Sequence, residues 1–380
     1  MKKYDKIDRY IDLLIAKSTP QHPFFNVSQG RRFPNNKWDY SCGCMTYALV
    51  SLYRETKHPK YFDFLKTWCD YYVLPDGSLR GFNAQHYSTD DVSQSRILFD
   101  MFEFTKDERF VAAIELSATQ IPGHPRTKEG NFWHKQIYHD QVWLDGLYML
   151  QPFYTRYETV YNNKKFYSDI INQFENVRRL MFNEDKKLYY HGYDESRTLF
   201  WADKTTGLSP HFWLRAIGWL VAAMADVAYF MEDEKKRTYL GTLLKEALDG
   251  VLQYQDQETK LFWDIVDLGG KEKNYLETSG SALIAYATLR ATNLGILPSE
   301  YFKVGLDIFD GIYNYRLIEE NDDINLIQIN EVSGLGPENN PRRDGSYDYY
   351  MSEPIITNDA KGAGPFIMAY AEILKAKSKR

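Results

Sequence analysis

Cysteine is scarce in this chain. Only Cys42, Cys44 and Cys69 occur among 380 residues. The count is odd, and Cys42 and Cys44 stand too close for an ordinary bridge, which excludes a disulfide framework. No apolar run approaches the ~20 residues that a membrane span requires. The start, Met1-Lys2-Lys3-Tyr4-Asp5, leads into a helix with charges throughout and has no signal-peptide core, so a soluble cytoplasmic protein is expected. Positive charge is not in excess either. A net charge of -6 argues against nucleic-acid backbone binding. There is no Gly-rich phosphate loop of the Walker or Rossmann form, no His-Glu-x-x-His and no Gly-x-Ser-x-Gly elbow. His134 and His139 have poor metal spacing for a helix, and Cys42 and Cys44 lack the second pair a zinc site needs. The expectation is no metal, no organic cofactor, no nucleic acid and no membrane.

What the chain has in abundance is aromatic side chains, with 30 Tyr, 22 Phe and 8 Trp. Such rings fill cores, and their faces also suit sugar rings, which present C–H faces and hydroxyl rims. Apolar spacing of three and four predicts helices over 4–17, 41–56, 59–73, 91–105, 107–120, 140–158, 163–181, 210–231, 234–255, 277–294, 298–316 and 361–377. Asp233 precedes one start, and Pro298-Ser299-Glu300 opens another. Four similar pieces, each a polar turn followed by an alternating aromatic stretch, lie at 76–80, 129–133, 185–190 and 258–263. Six helical hairpins account for the length. Their most economical closure is an all-α toroid, the (α/α)6 barrel, with an inner ring wrapped by an outer ring as one domain over 1–380. An open superhelix is the rival. The long linkers at 19–40, 74–90, 182–209, 256–276 and 317–360 carry aromatic and charged residues and are expected to build a pocket at one end.

The candidate site centres on Gln141-Val142-Trp143-Leu144-Asp145-Gly146-Leu147-Tyr148-Met149, read as the start of a helix. Asp145 has Val142, Met149 and Pro152 as helical neighbours, so a carboxylate sits in an apolar stripe. Unless paired, such a group tends to keep its proton, as a general acid must. Asp90 and Asp91 at another helix start are either cap residues or a second pocket carboxylate. His191 lies on a loop framed by three Tyr and an Asp. Arg215, in His211-Phe212-Trp213-Leu214-Arg215-Ala216-Ile217-Gly218-Trp219, needs an anion, either a protein carboxylate or that of a ligand. Tyr40 and Lys361 lie in further pocket candidates, Trp38-Asp39-Tyr40-Ser41 and Lys361-Gly362-Ala363-Gly364.

These pieces together resemble the unsaturated rhamnogalacturonyl hydrolases of glycoside hydrolase family 105, relatives of the unsaturated glucuronyl hydrolases of family 88. The segment around Asp145 is similar almost letter for letter. Tyr190-His191-Gly192-Tyr193-Asp194-Glu195, Trp213-x-Arg215-x-x-Gly218-Trp219, Glu277-Thr278-Ser279-Gly280-Ser281-Ala282 and Asn358-Asp359-x-Lys361-Gly362-x-Gly364 are similar too. Ser93 and Ser95 depart from the usual Asn and Gly, and Ala216-Ile217 from the usual Gly-Asn. The resemblance implies an (α/α)6 barrel, Asp145 as general acid/base, Asp90 as the second pocket carboxylate, and substrate contacts from His191, Arg215 and Trp219. Trp143, Trp213, Tyr40 and Lys361 join these as expected pocket residues. The implied substrate is an oligosaccharide with a 4,5-unsaturated uronic acid at its non-reducing end, of rhamnogalacturonan type or from other lyase products such as ulvan fragments. A conventional glycosidase using Asp90 and Asp145, and a non-catalytic sugar-binding scaffold, are the alternatives. Either a monomer or a homodimer is compatible with the sequence.

Overall fold

The computed structural model describes residues 4–31, 36–321 and 323–378, apart from the side chain of Gln29. The charged start Met1-Lys2-Lys3 and parts of two long linkers, 32–35 and 322, lie outside the described residues. Twelve longer helices follow in order. They are α1 (Asp5–Ala16), α2 (Tyr40–Thr56), α3 (Pro59–Tyr72), α4 (Arg96–Thr105), α5 (Arg109–Ala118), α6 (Leu144–Val160), α7 (Tyr167–Met181), α8 (Leu214–Phe230), α9 (Glu234–Leu252), α10 (Thr278–Asn293), α11 (Tyr301–Tyr315) and α12 (Ala360–Ser378).

The even-numbered helices pack side by side in a closed ring. α2 touches α4, α6 touches α8, α8 touches α10, α10 touches α12, and α12 returns to α2. A short turn at Thr89–Ser93 fills the gap between α4 and α6. The outer helices pack on this ring, giving the (α/α)6 barrel. Composition sorts the two rings. In α8 every residue from Leu214 to Ala228 is buried, as a helix enclosed on all sides requires. In α11 only Gly305, Ile308, Phe309, Gly311 and Ile312 are buried, the single stripe of an amphipathic helix. One hydrophobic cluster runs through both rings, from Tyr4 to Ile373.

Small residues set the closest approach between inner helices. A Cβ on Gly218 would lie 2.9 Å from Leu283 Cβ, and one on Gly280 would lie 2.5 Å from Leu214 Cγ. Gly218 thus makes room for the neighbouring helix α10.

Several predicted boundaries shift, each for a tertiary reason. Segment 140–158 opens as a strand, because Gln141–Trp143 pairs with Gly192–Asp194 before the helix begins. Segment 91–105 breaks at Gln94, whose side-chain Oε1 accepts from the Asp39 N–H at 3.1 Å. Segment 210–231 begins at Leu214, since Trp213 is held extended by a bridge to Ile265. The cap at Asp233 forms, its carboxylate accepting from the Lys236 N–H at 3.1 Å. All four turn-plus-aromatic pieces enter antiparallel pairings: Val73 with Leu79, Arg126 with Phe132, Phe182 with Tyr189, and Phe262 with Glu277. Among the described residues no helix is long and apolar enough to cross a membrane.

Candidate active site

A three-residue strand pair does the positioning at one end of the barrel. Gln141, Val142 and Trp143 lie opposite Asp194, Tyr193 and Gly192. Past that register, the Leu144 N–H donates to the His191 carbonyl at 3.1 Å. Residues 145 and 191, distant in sequence, are thus stitched one step beyond the same ladder. Their side chains meet. His191 Nε2 lies 3.3 Å from Asp145 Oδ2, and neither buried atom has a better-aligned partner. The other ring nitrogen, Nδ1, lies 2.7 Å from the Tyr350 hydroxyl.

This pairing changes the electrostatics expected from the sequence. Burial alone pushes the Asp145 carboxyl up. His191, with smaller contributions from His134 and Arg215, outweighs burial and holds it below its usual 3.8. Its place in the first turn of α6 adds the helix dipole in the same sense. Asp145 is therefore a carboxylate in the free protein, and the expectation of a proton retained by apolar surroundings is corrected. The apolar stripe is there, but so is an imidazole. Replacing His191 with Leu removes the largest of the groups that oppose burial. The Asp145 carboxyl should then titrate higher than in the wild type, and the stability its depressed value contributes above 3.8, lost in the wild type as pH falls through that depressed value, should shrink. A ¹³C-carboxyl titration followed by NMR reads this directly, and an unmoved Asp145 would refute the pairing.

Asp90 is the second carboxylate near this end, 8% exposed like Asp145. Its Oδ2 is 2.5 Å from Lys135 Nζ and its Oδ1 is 3.7 Å from His134 Nε2. Burial would pull the Lys135 ammonium down, and Asp90 more than offsets this. His134 is pushed down to about 4 by burial, against the pull of Asp90, so it is neutral at physiological pH. Asp91 is raised by burial and by Asp90. Sequence reading passed over Lys135, and weighed His134 only as a metal ligand. The alternating piece ending at Trp133 was the available signal.

Indoles wall the site. Trp143 stacks on His134 with centroids 4.3 Å apart and stands edge-on to His191 at 5.6 Å. Trp213 lies 4.7 Å from His191, and its Nε1 donates to Asp264 at 3.1 Å. Trp219 packs on Tyr148 at 4.6 Å, with half-buried Tyr40 edge-on at 6.5 Å. Arg215 is buried and finds its partners inside the protein. Its guanidinium donates to Ser279 Oγ at 3.1 Å and to the Asn330 carbonyl at 2.5 Å. Ser279 in turn donates to Glu277 at 2.7 Å, so the anion is a protein carboxylate one hydroxyl away. Lys361 is fully buried and bound to Asp359 at 2.7 Å and Ser28 at 2.9 Å, which leaves it no free position in the site.

Asp39, beside Tyr40, is pushed up to about 6 by burial, against the Cys42 N–H that its Oδ1 caps and the Lys361 charge. A raised carboxyl removes stability as pH climbs from 3.8 to about 6. Asp39→Asn keeps the cap and never ionises. It should stabilise the protein by about 3 kcal/mol near pH ~8 and by little near pH ~4, read from urea midpoints. Equal effects at both would rule out Asp39 as the group responsible.

The segment 331–346, part of the linker 317–360 expected to help build a pocket, closes over this end. Leu335 joins Tyr138, Trp143, Leu199, Trp201 and Ala202 in a small cluster separate from the main core. Trp201 Nε1 donates to the Gly336 carbonyl at 2.9 Å, and the Gly334 N–H donates to Tyr349 at 2.9 Å. A cleft of about 510 Å³ runs along its outer side, lined by Gln141, Leu199 and Pro337 among others. Among the described residues, no group of three or more His, Cys, Asp or Glu is placed to hold a metal ion.

Solved structures with this barrel include a glycoside hydrolase of family 105 from C. acetobutylicum ATCC 824. It is 37% identical, with a TM-score of 0.88 over 97% of this chain and 99% of that one. An unsaturated glucuronyl hydrolase from Bacillus sp. GL1 shares the fold at 13% identity and a TM-score of 0.68, covering 98% of this chain and 96% of that one. Protein Atu3128 of Agrobacterium fabrum is 38% identical over 228 residues, 59% of this chain and 97% of that protein. The barrel and these likenesses define a glycoside hydrolase. The chain belongs to glycosyl hydrolase family 88, whose family model matches residues 14–377.

Proposed function

We propose that this glycoside hydrolase removes a 4,5-unsaturated uronic acid from the non-reducing end of lyase-generated oligosaccharides. The observation that carries this reading is the buried Asp145 carboxylate facing His191 at 3.3 Å between Trp143 and Trp213. The C4=C5 bond of such a sugar is an enol ether, which takes a proton on carbon. Asp145 is ionised in the free protein, so it must gain that proton on binding. The substrate's own carboxylate, brought into the same buried site, raises its proton affinity by like-charge proximity. Asp145 then protonates C4 and leaves an oxocarbenium-like cation across C5 and O5. The regenerated carboxylate takes a proton from water as it attacks C5. The product is a hemiketal, which opens and releases the next sugar.

One carboxyl group serves both proton transfers, so a second at glycosidase spacing is not needed. The Lys135 contact to Asp90 supports a positioning role for Asp90, toward sugar hydroxyls. His191 orients Asp145, the indoles stack the flattened ring, and Arg215 fixes the floor between α8 and α10.

Rhamnose as the following sugar, as in rhamnogalacturonan fragments, is the first choice by the family 105 likeness; ulvan-type fragments are the runner-up. Hydration destroys the chromophore of the unsaturated uronate. Incubation with a panel of lyase-generated disaccharides should therefore lower near-ultraviolet absorbance as sugar is released. Sugar release without that loss would replace this reading with a conventional glycosidase acting through Asp90 and Asp145.

A further inference from the structure

The covering segment 331–346 carries two adjacent arginines with different fates. Arg342 binds Glu353 at 2.7 Å. Arg343 is half-buried, and among the described residues no hydrogen bond or ion pair reaches its guanidinium. It is not adrift. A Cβ built on Gly334 would lie 3.0 Å from Arg343 Nη1 and 3.2 Å from Trp143 Cη2. The absence of a side chain at 334 therefore leaves room for the guanidinium beside the benzo edge of Trp143. The backbone is pinned as well, with the Gly336 N–H donating to the Arg343 carbonyl at 2.8 Å.

The other flank of Trp143 faces the Asp145–His191 pair. Arg343 thus stands one indole away from the proposed chemistry, on the rim rather than the floor. A sugar with C4 and C5 at Asp145 is held among buried groups, and its glycosidic bond must point outward. The unit after it reaches toward the rim. A guanidinium there, partly desolvated and without a protein anion among the described residues, offers a planar set of donors that matches a carboxylate or a sulfate.

We infer that Arg343 is an anion-recognition residue for the second sugar of the substrate, selecting oligosaccharides whose penultimate unit carries a carboxylate or sulfate. This rests on the unsaturated-uronate reading given above and, within it, ranks a charged second sugar above the neutral rhamnose of a rhamnogalacturonan fragment. It concerns a different sugar and a different residue from those assigned to the proton transfers.

The test compares two unsaturated disaccharides, one with a neutral second sugar and one bearing a sulfate or carboxylate there. The wild type should favour the charged one about tenfold in kcat/KM, the range of one charge-assisted hydrogen-bonded contact. Arg343→Gln should lose about tenfold on the charged disaccharide, through KM, and less than twofold on the neutral one. Arg343→Lys should recover part of the loss. An undiminished preference in Arg343→Gln overturns the inference. So does an equal loss on both sugars, which would place the guanidinium on the uronate itself. Should the wild type hydrate neither, the proposed activity fails. Calorimetry then decides for Arg343: charged-sugar binding that Arg343→Gln abolishes upholds it, and binding indifferent to the substitution overturns it.

Discussion

Asp145→Asn should fold as the wild type does and consume unsaturated disaccharide at least ~10²-fold more slowly, the scale of a lost general acid. The amide has the same shape and still presents an oxygen to His191, so the strand pair and the indole walls have no reason to move. What it cannot do is hand a proton to carbon or recover one from water. KM should stay within a few-fold, because the substitution leaves Trp143, Trp213 and Trp219 in place. Initial rates of absorbance loss, with a thermal melt on the same sample, make the comparison. A folded variant with near-wild-type rate would remove Asp145 from the mechanism.

A loss of similar size in stability is expected from Asp226→Ala. Asp226 is fully buried on α8, inside the inner ring. It pairs with Arg96 of α4, and its Oδ1 lies 2.8 Å from Arg290 Nε of α10. The Tyr286 hydroxyl donates to it at 2.6 Å. Arg290 keeps Glu372 at 2.9 Å when Asp226 is removed, whereas Arg96, among the described residues, keeps the rings of Tyr47 and Tyr148 and no second carboxylate. Stranding a buried cation in this way typically costs about 3–5 kcal/mol. Adding Arg96→Met to an Asp226→Leu variant should restore much of that, since apolar replacement of a buried pair is often near neutral. Urea denaturation measures both. A single-variant loss below about 1 kcal/mol would mean that water reaches Arg96.

The ring of hairpins was legible because helix periodicity is local and the inner helices are apolar on every side. The polar end was legible only residue by residue. Asp145, His191, Trp143, Trp213 and Arg215 carry letters that stand out, and the fold does gather them. What joins them does not show in sequence. The strand Gln141–Trp143 is three residues long and exists only because Gly192–Asp194 lies opposite, so its period reads as the helix that follows. The charge state of Asp145 depends on an imidazole 46 positions away, which no local window contains. Lys361 looks like a pocket cation until Asp359, two residues before it, turns out to hold it. Glu277 was noted as part of a motif, but its service to Arg215 runs through Ser279 and could not be read.

The charged knot of Arg96, Asp226 and Arg290 has one more consequence. It joins α4, α8 and α10 across the inside of the ring, with Tyr148 over Arg96 and stacked on Trp219. The molecule is a cup and not a tube. In the proposed reaction, the products then leave through the doorway used for entry.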